Sequence, residues 1–449
     1  MKRLIAAATL GLALWGGAAA AGPVQLTAEQ LRAFGSEALA RGYADQALAV
    51  AETLLLRDAG DSLALTLKAQ ALRVRGDLDA SEAAARAAWA AADSDVARYG
   101  AATALAQALS LQDRRTSAQY WLRQAVQNAP NAGTRAQAVQ DFTYVRDQNP
   151  LSLQVDASMR PSNNVNGGAR DPLFEVQGIP FVLSGDALAL SGLAYGFGLS
   201  GDYRLSNEGG KRTALTFAAS LQGVILSDAA QVQAPTAENG EYALAHVEAG
   251  WQREVQGAAG RLTTGLTAGH SWYGGQDLSG SLTARAMLER PLGPGLNAMF
   301  AASVTRQDRL DRPVSCSTDS EIEAQLSTKG PGGDAWQIGL SLSTVASDDI
   351  GIDHDEATLS LSWQAARPVA GLGLGASLSA RVADYDASPY TTNGRHDRRV
   401  SASLTATVQS LSYLGFSPVL SLDLSRNVSN VALYETETLG LSLSVKSRF

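Results

Sequence analysis

Side chains able to do chemistry are few in this 449-residue chain. There are four histidines, His246, His270, His354 and His396, and one cysteine, Cys316. His246 has Glu248 two residues on, and His270 directly precedes Ser271. A serine, a histidine and an acid within hydrogen-bond reach would make a hydrolase nucleophile. Neighbours along a strand point to opposite faces, so His270 cannot activate Ser271. "DDIGIDHDE" (348–356) gathers acids around His354, but without the stepped oxygens of a calcium loop, and it reads as a solvated acidic loop. "RHDRR" (395–399) could meet lipopolysaccharide phosphates, although a solvated basic loop is the better reading. No glycine–lysine–serine spacing forms a phosphate loop. The residues therefore predict no catalytic group, no cofactor and no metal.

Charge and targeting signals narrow the classes further. A formal charge of −8 excludes a nucleic-acid partner, which needs a basic face. Lys2 and Arg3, the apolar "LIAAATLGLALWGG" and the small residues that follow have the layout of a secretory signal peptide over 1–21. A single cysteine allows no intramolecular disulfide. Beyond the signal no apolar run reaches the ~18 residues of a spanning helix. An exported chain of this kind must be held by packing or by membrane insertion.

Two elements with different periods would carry these side chains. Residues 22–148 are expected to form a periplasmic helical domain, with apolar and small residues at three- and four-residue steps. Gly42 opens "GYADQALAVAETL" and Gly76 opens "GDLDASEAAARAA", about 34 residues apart, the period of a tetratricopeptide repeat. Ala47 stands where that repeat needs a small residue in its second helix. Ala118, Leu122, Ala125 and Pro130 fill the small, large, small and proline positions of a third unit. Two departures are Ser81 in place of alanine and three extra residues before the third unit. A generic alanine-rich bundle is the alternative.

From residue 149 to 449 the chain alternates Leu, Ser, Ala, Thr and Gly, and about fourteen strands are expected. Each is long enough for the ~9–11 residues of a tilted membrane strand. The connections alternate between tight turns ("NEGG", "GAAG", "PLGPG", "KGPGGD", "RPVAG") and longer loops at 159–186, 226–239, 308–317, 347–354 and 385–397. That is the pattern of an outer-membrane antiparallel β-barrel, whose closed sheet satisfies every backbone group in lipid. A soluble sandwich or β-helix is the alternative. In the last strand Leu441, Leu443 and Val445 share one face and lead to the terminal Phe449. That ending resembles the signal by which such barrels reach their assembly machinery. Tyr195, Trp251, Trp272, Tyr273, Trp336 and Trp363 could form interface girdles, or simply be scattered.

Signal peptide, short helical repeat domain and barrel, in that order, resemble the surface lipoprotein assembly modifier family. The resemblance reaches residues at the first strand and loop, "LSLQVDASMRPSNNVNGGA". Ser162, Asn163, Asn164, Val165 and Asn166 stand where that family carries a serine- and asparagine-rich segment, with Asn164 and Val165 where isoleucine-centred forms are commoner. The resemblance implies an outer-membrane factor with its helices in the periplasm and no covalent chemistry. It also implies an exported lipoprotein or secreted protein as client, which passes from the repeat groove to the barrel. The groove and the 159–186 loop would be the functional regions. Its partners would be that client, the barrel-assembly machinery and outer-membrane lipid. A polysaccharide exporter with periplasmic repeats and a diffusion porin with an appended scaffold domain are the alternative functions.

Overall fold

Described residues of the computed structural model are 26–176 and 179–447. The expected signal peptide and Phe449 lie outside them. The chain divides into two compact units, 1–113 and 114–449.

The described part of the first unit is five helices: α1 (Ala28–Ala40), α2 (Ala44–Arg57), α3 (Ser62–Arg75), α4 (Leu78–Ala91) and α5 (Asp95–Leu111). Small residues let them cross closely. Ala38, Ala47, Ala51, Leu67 and Ala71 form one buried cluster between α1, α2 and α3. Ser81 is fully buried and its hydroxyl donates to the Ala69 carbonyl at 2.7 Å. The serine that departs from the repeat pattern thus fills the alanine site and satisfies its own hydroxyl. Asp61 does two jobs: its carboxylate accepts from the N–H groups of Leu63 and Ala64, capping α3, and takes the Arg32 guanidinium at 2.6 Å. Gly76 closes α3 at φ +88°, where a side chain would be strained.

The second unit opens with α6 (Arg115–Gln127) and α7 (Ala132–Gln148). Ala47, Ser81 and Ala118 are each the fourth residue of their helix, in α2, α4 and α6. The three extra residues lengthen α5 to 17 residues against 14 for α3. The insertion therefore leaves the second helix of the unit in phase.

Sixteen strands follow among the described residues: β1 (Leu151–Ser162), β2 (Leu173–Val176), β3 (Ile179–Val182), β4 (Gly192–Glu208), β5 (Lys211–Leu226), β6 (Leu244–Gly257), β7 (Gly260–Tyr273) and β8 (Gln276–Gly293). The second half comprises β9 (Leu296–Arg309), β10 (Ser317–Lys329), β11 (Ala335–Ser347), β12 (His354–Gln364), β13 (Leu372–Tyr385), β14 (Arg395–Val408), β15 (Phe416–Ser429) and β16 (Thr436–Ser447). Fourteen of them, β1 and β4–β16, close into one antiparallel barrel, and these are the strands the alternation predicts. The 159–186 loop is more ordered than expected, because β2 and β3 pair into a separate hairpin inside it. The 226–239 loop likewise holds a short helix, α8 (Asp228–Gln233).

The barrel wall sorts residues by parity. Leu439, Leu441, Leu443 and Val445 are 50, 54, 47 and 40 % exposed and form an outward apolar row, while Gly440 between them is buried. Among the described residues no helix is long and apolar enough to cross a membrane; the strands supply the lipid-facing surface. Trp336 and Trp363 lie 6.4 Å apart beside the tight 329–335 turn, where Trp363 Nε1 donates to Asp334.

Candidate functional site

Closure of the barrel depends on the seam between its first and last strands. On its other side β1 matches β4 through twelve consecutive partners, from Leu151–Tyr203 to Ser162–Gly192. Against β16, among the described residues, it keeps three: Ser158–Ser444, Met159–Leu443 and Ser162–Gly440. Pro161 sits in the gap and has no N–H to donate. Gly440 opposite leaves room for the Arg160 side chain, which a β-carbon there would meet at 3.1 Å. Inside the seam lies a cavity of about 480 Å³ lined by Asp156, Arg160, Asp423, Ser442 and Ser444.

Above the seam the serine- and asparagine-rich segment supplies the missing bonds. The Asn163 N–H donates to the Leu439 carbonyl at 3.3 Å, and its side-chain oxygen accepts from the Leu439 N–H at 2.8 Å. Buried Asn164 exchanges two 2.9 Å bonds with the backbone of Gly168. Its own N–H donates to the Ser162 hydroxyl. The Val165 N–H donates to the Leu190 carbonyl, and its side chain packs on the cluster of Leu190, Val224, Leu226, Ala230 and Ala234. Asn166 clamps Asp186, Leu188 and Leu190 through their backbones. Asn163 thus extends the seam to β16 past Pro161, while Asn164, Val165 and Asn166 fasten the loop that follows to itself. Sequence reading passed over Gly168, where a β-carbon would stand 2.3 Å from the Leu188 carbonyl oxygen. The glycine pair after the asparagines was the available signal.

Below the seam, β16 is held by a helix. Arg123 on α6 donates to the Leu414 carbonyl at 2.9 Å and to the Ser447 hydroxyl at 3.0 Å. Its guanidinium lies over the rings of Phe142 (4.8 Å) and Phe416 (4.7 Å). Burial lowers its pKa, as loss of water does for any cation, and a guanidinium stays charged through such a shift. Gln127 adds a bond from the Leu414 N–H.

The lumen is polar and its charges are mostly matched. Arg212 bridges Asp202 and Glu254, Arg285 meets Glu323 at 2.9 Å, and Ser341 donates to Glu321 at 2.6 Å. Arg285, Glu321 and Glu356 line a cavity of about 910 Å³. One grouping was missed by comparing only chain neighbours. Ser271 and His270 do point apart, but Ser271 faces His246 on the adjacent strand, with its hydroxyl 2.9 Å from Nδ1. The other ring nitrogen of His246 is 3.5 Å from Glu248. A serine–histidine–acid chain therefore exists in the wall. His270 instead meets Asp277 at 2.8 Å.

The segment from the second half of β7 to the chain end is the part that matches a known family. Residues 267–449 match the surface lipoprotein assembly modifier family. No curated protein matches the chain. Similar solved structures include a BenF-like porin from Pseudomonas fluorescens Pf-5, at 12% identity and TM-score 0.35, covering 66% of this chain and 99% of that one. OccAB3 of Acinetobacter baumannii is similar at 11% identity and TM-score 0.36, with 66% and 99% coverage. The first TPR domain of human RPAP3 is similar at 15% identity and TM-score 0.24, covering 27% of this chain and 94% of that domain. A closed fourteen-stranded wall with an apolar exterior and polar lumen, carrying this family's match, is an outer-membrane barrel. The matched family is one of assembly modifiers, a non-enzymatic type.

Proposed function

We propose that this protein helps deliver an exported lipoprotein or related secreted protein to the cell surface. The family match over 267–449 carries the reading. In it, residues 1–21 direct export, 22–148 form a periplasmic helical domain that binds the client, and 149–449 form the barrel that receives it. Stacked helix pairs present a concave groove suited to an extended or helical segment. Leu441, Leu443, Val445 and Phe449 serve as the address read by the barrel-assembly machinery. Ser162 and Asn163 tie the top of the β1–β16 seam, the part of the wall best able to part for a client, and Asn164, Val165 and Asn166 fasten the loop that follows it. The short run of paired residues there supports this role, since little else must be broken to open it.

The test uses the full chain, tagged and expressed in its own envelope. The expected result is that one exported lipoprotein or secreted protein crosslinks to the helical domain. Deleting the chain should also make that same protein inaccessible to protease on intact cells. Unchanged surface accessibility of every exported lipoprotein, or enrichment of polysaccharide-synthesis proteins instead, would sink the proposal.

A further inference from the structure

At the long-loop end of the lumen, Arg381 and Arg399 are direct cross-strand partners. Both point inward, because Val382 and Val400 beside them are exposed on the outer face. Like charges directly opposed on one face of a sheet repel. Glu356 compensates Arg381 at 2.5 Å, but among the described residues no carboxylate pairs with Arg399. Two same-face positions toward the mouth, Arg395 is only 5% exposed. Its guanidinium carbon lies 3.4 Å from the Tyr385 ring centre and 3.8 Å from that of Tyr434. Stacked on both faces, this cation can offer a ligand only its edge.

Three polar atoms here are buried without a hydrogen-bond partner: Arg381 Nε, Asp397 Oδ1 and Arg395 Nε. The other Asp397 oxygen sits 3.2 Å from that Nε, as an ion pair lacking hydrogen-bond geometry. An unsatisfied buried donor beside an unsatisfied buried acceptor is costly unless something fills both. Arg381, Arg395, Asp397, Arg399 and Tyr434 all line one cavity of about 240 Å³, enough for a small hydrated anion.

We propose that this cavity binds a phosphate group. Arg399 and the edge of Arg395 donate to its oxygens, and its own P–OH donates to Asp397 Oδ1. A planar fork suits such oxygens better than a point charge does. The aspartate gives the site its selectivity, because sulfate has the same shape but no proton to donate at neutral pH. The same atoms can take free phosphate or, as its protonated monoanion, a phosphomonoester headgroup.

Calorimetric titration of the folded full-length protein in detergent with inorganic phosphate tests this, with sulfate and glycerol 3-phosphate in parallel. Saturable binding of one phosphate per chain is expected, with sulfate at least ten-fold weaker. Arg399→Gln should weaken phosphate at least ten-fold, and Asp397→Asn should close the gap between phosphate and sulfate. Retained heat-modifiable mobility on gels certifies that each variant is folded, and Arg399→Lys serves as a second variant if Arg399→Gln is not. Binding of glycerol 3-phosphate as tight as phosphate assigns the site to an esterified group, and its exclusion assigns it to the free ion. Absence of saturation, sulfate binding as tight as phosphate, or folded Arg399 variants with unchanged affinity would overturn the assignment.

Discussion

Asn163 and Leu439, 276 residues apart, are joined by two hydrogen bonds, one from each backbone N–H. The acceptor for the Leu439 N–H is a side chain, because the strand pairing stops there. Asn163→Ala removes that acceptor and leaves an edge N–H unsatisfied, a loss of about 1–2 kcal/mol. Unfolding of the barrel in urea should shift to lower concentration with unchanged slope. Asn163→Asp keeps an acceptor and should recover most of the loss.

Opening of the seam can be tested by preventing it. Ser158 and Ser444 face each other directly across β1 and β16 on the luminal side. A Ser158→Cys/Ser444→Cys pair, oxidised, should leave a folded, heat-modifiable barrel. Surface display of the client should fall and should return on adding a reductant. Full display with the bond demonstrably formed would mean that the wall does not part at this place.

Arg123 anchors the lower end of β16. Arg123→Ala removes the bonds to Leu414 and Ser447 and the contacts with the Phe142 and Phe416 rings, about 2–3 kcal/mol together. Protease cleavage between α7 and β1, near Asn149–Pro150, should become faster. Arg123→Lys should rescue little, because a point charge cannot cover both rings and reach Leu414 and Ser447 at once. Equal cleavage rates in all three proteins would argue that the contact contributes nothing to holding the helices.

In the helical unit, size matters more than polarity at the crossings. Ala85 is fully buried in α4. Ala85→Leu should destabilise the unit by about 1–3 kcal/mol through overpacking. Ser81→Ala removes a bond to a carbonyl that a helix already satisfies, and should cost less than about 1 kcal/mol. Thermal melting followed by circular dichroism at the helix minimum would rank the two.

Much of this molecule is local and therefore legible in its residues. A period of two fixes which face of Leu439–Val445 meets lipid, whatever strand lies beside it. Turn residues fix where each strand stops, so all fourteen barrel strands could be placed from alternation and turn signals. Small residues at Ala47, Ser81 and Ala118 mark helix crossings for the same reason, since the constraint is carried by one residue's own size.

What the tertiary structure decided are meetings between distant residues. Ser271 finds His246 only once β6 and β7 are in register, a relation invisible when each residue is compared with its chain neighbours. Arg399 reads in the sequence as part of a solvated basic loop; register instead places it on a strand directly opposite Arg381. The asparagines at 163, 164 and 166 suggest a family segment by type. The bonds of Asn163 across the seam required closure of the barrel, which brings residue 163 to residue 439. Side-chain period belongs to the single strand. Register and closure belong to the whole sheet, and the polar contacts that distinguish this barrel are set there.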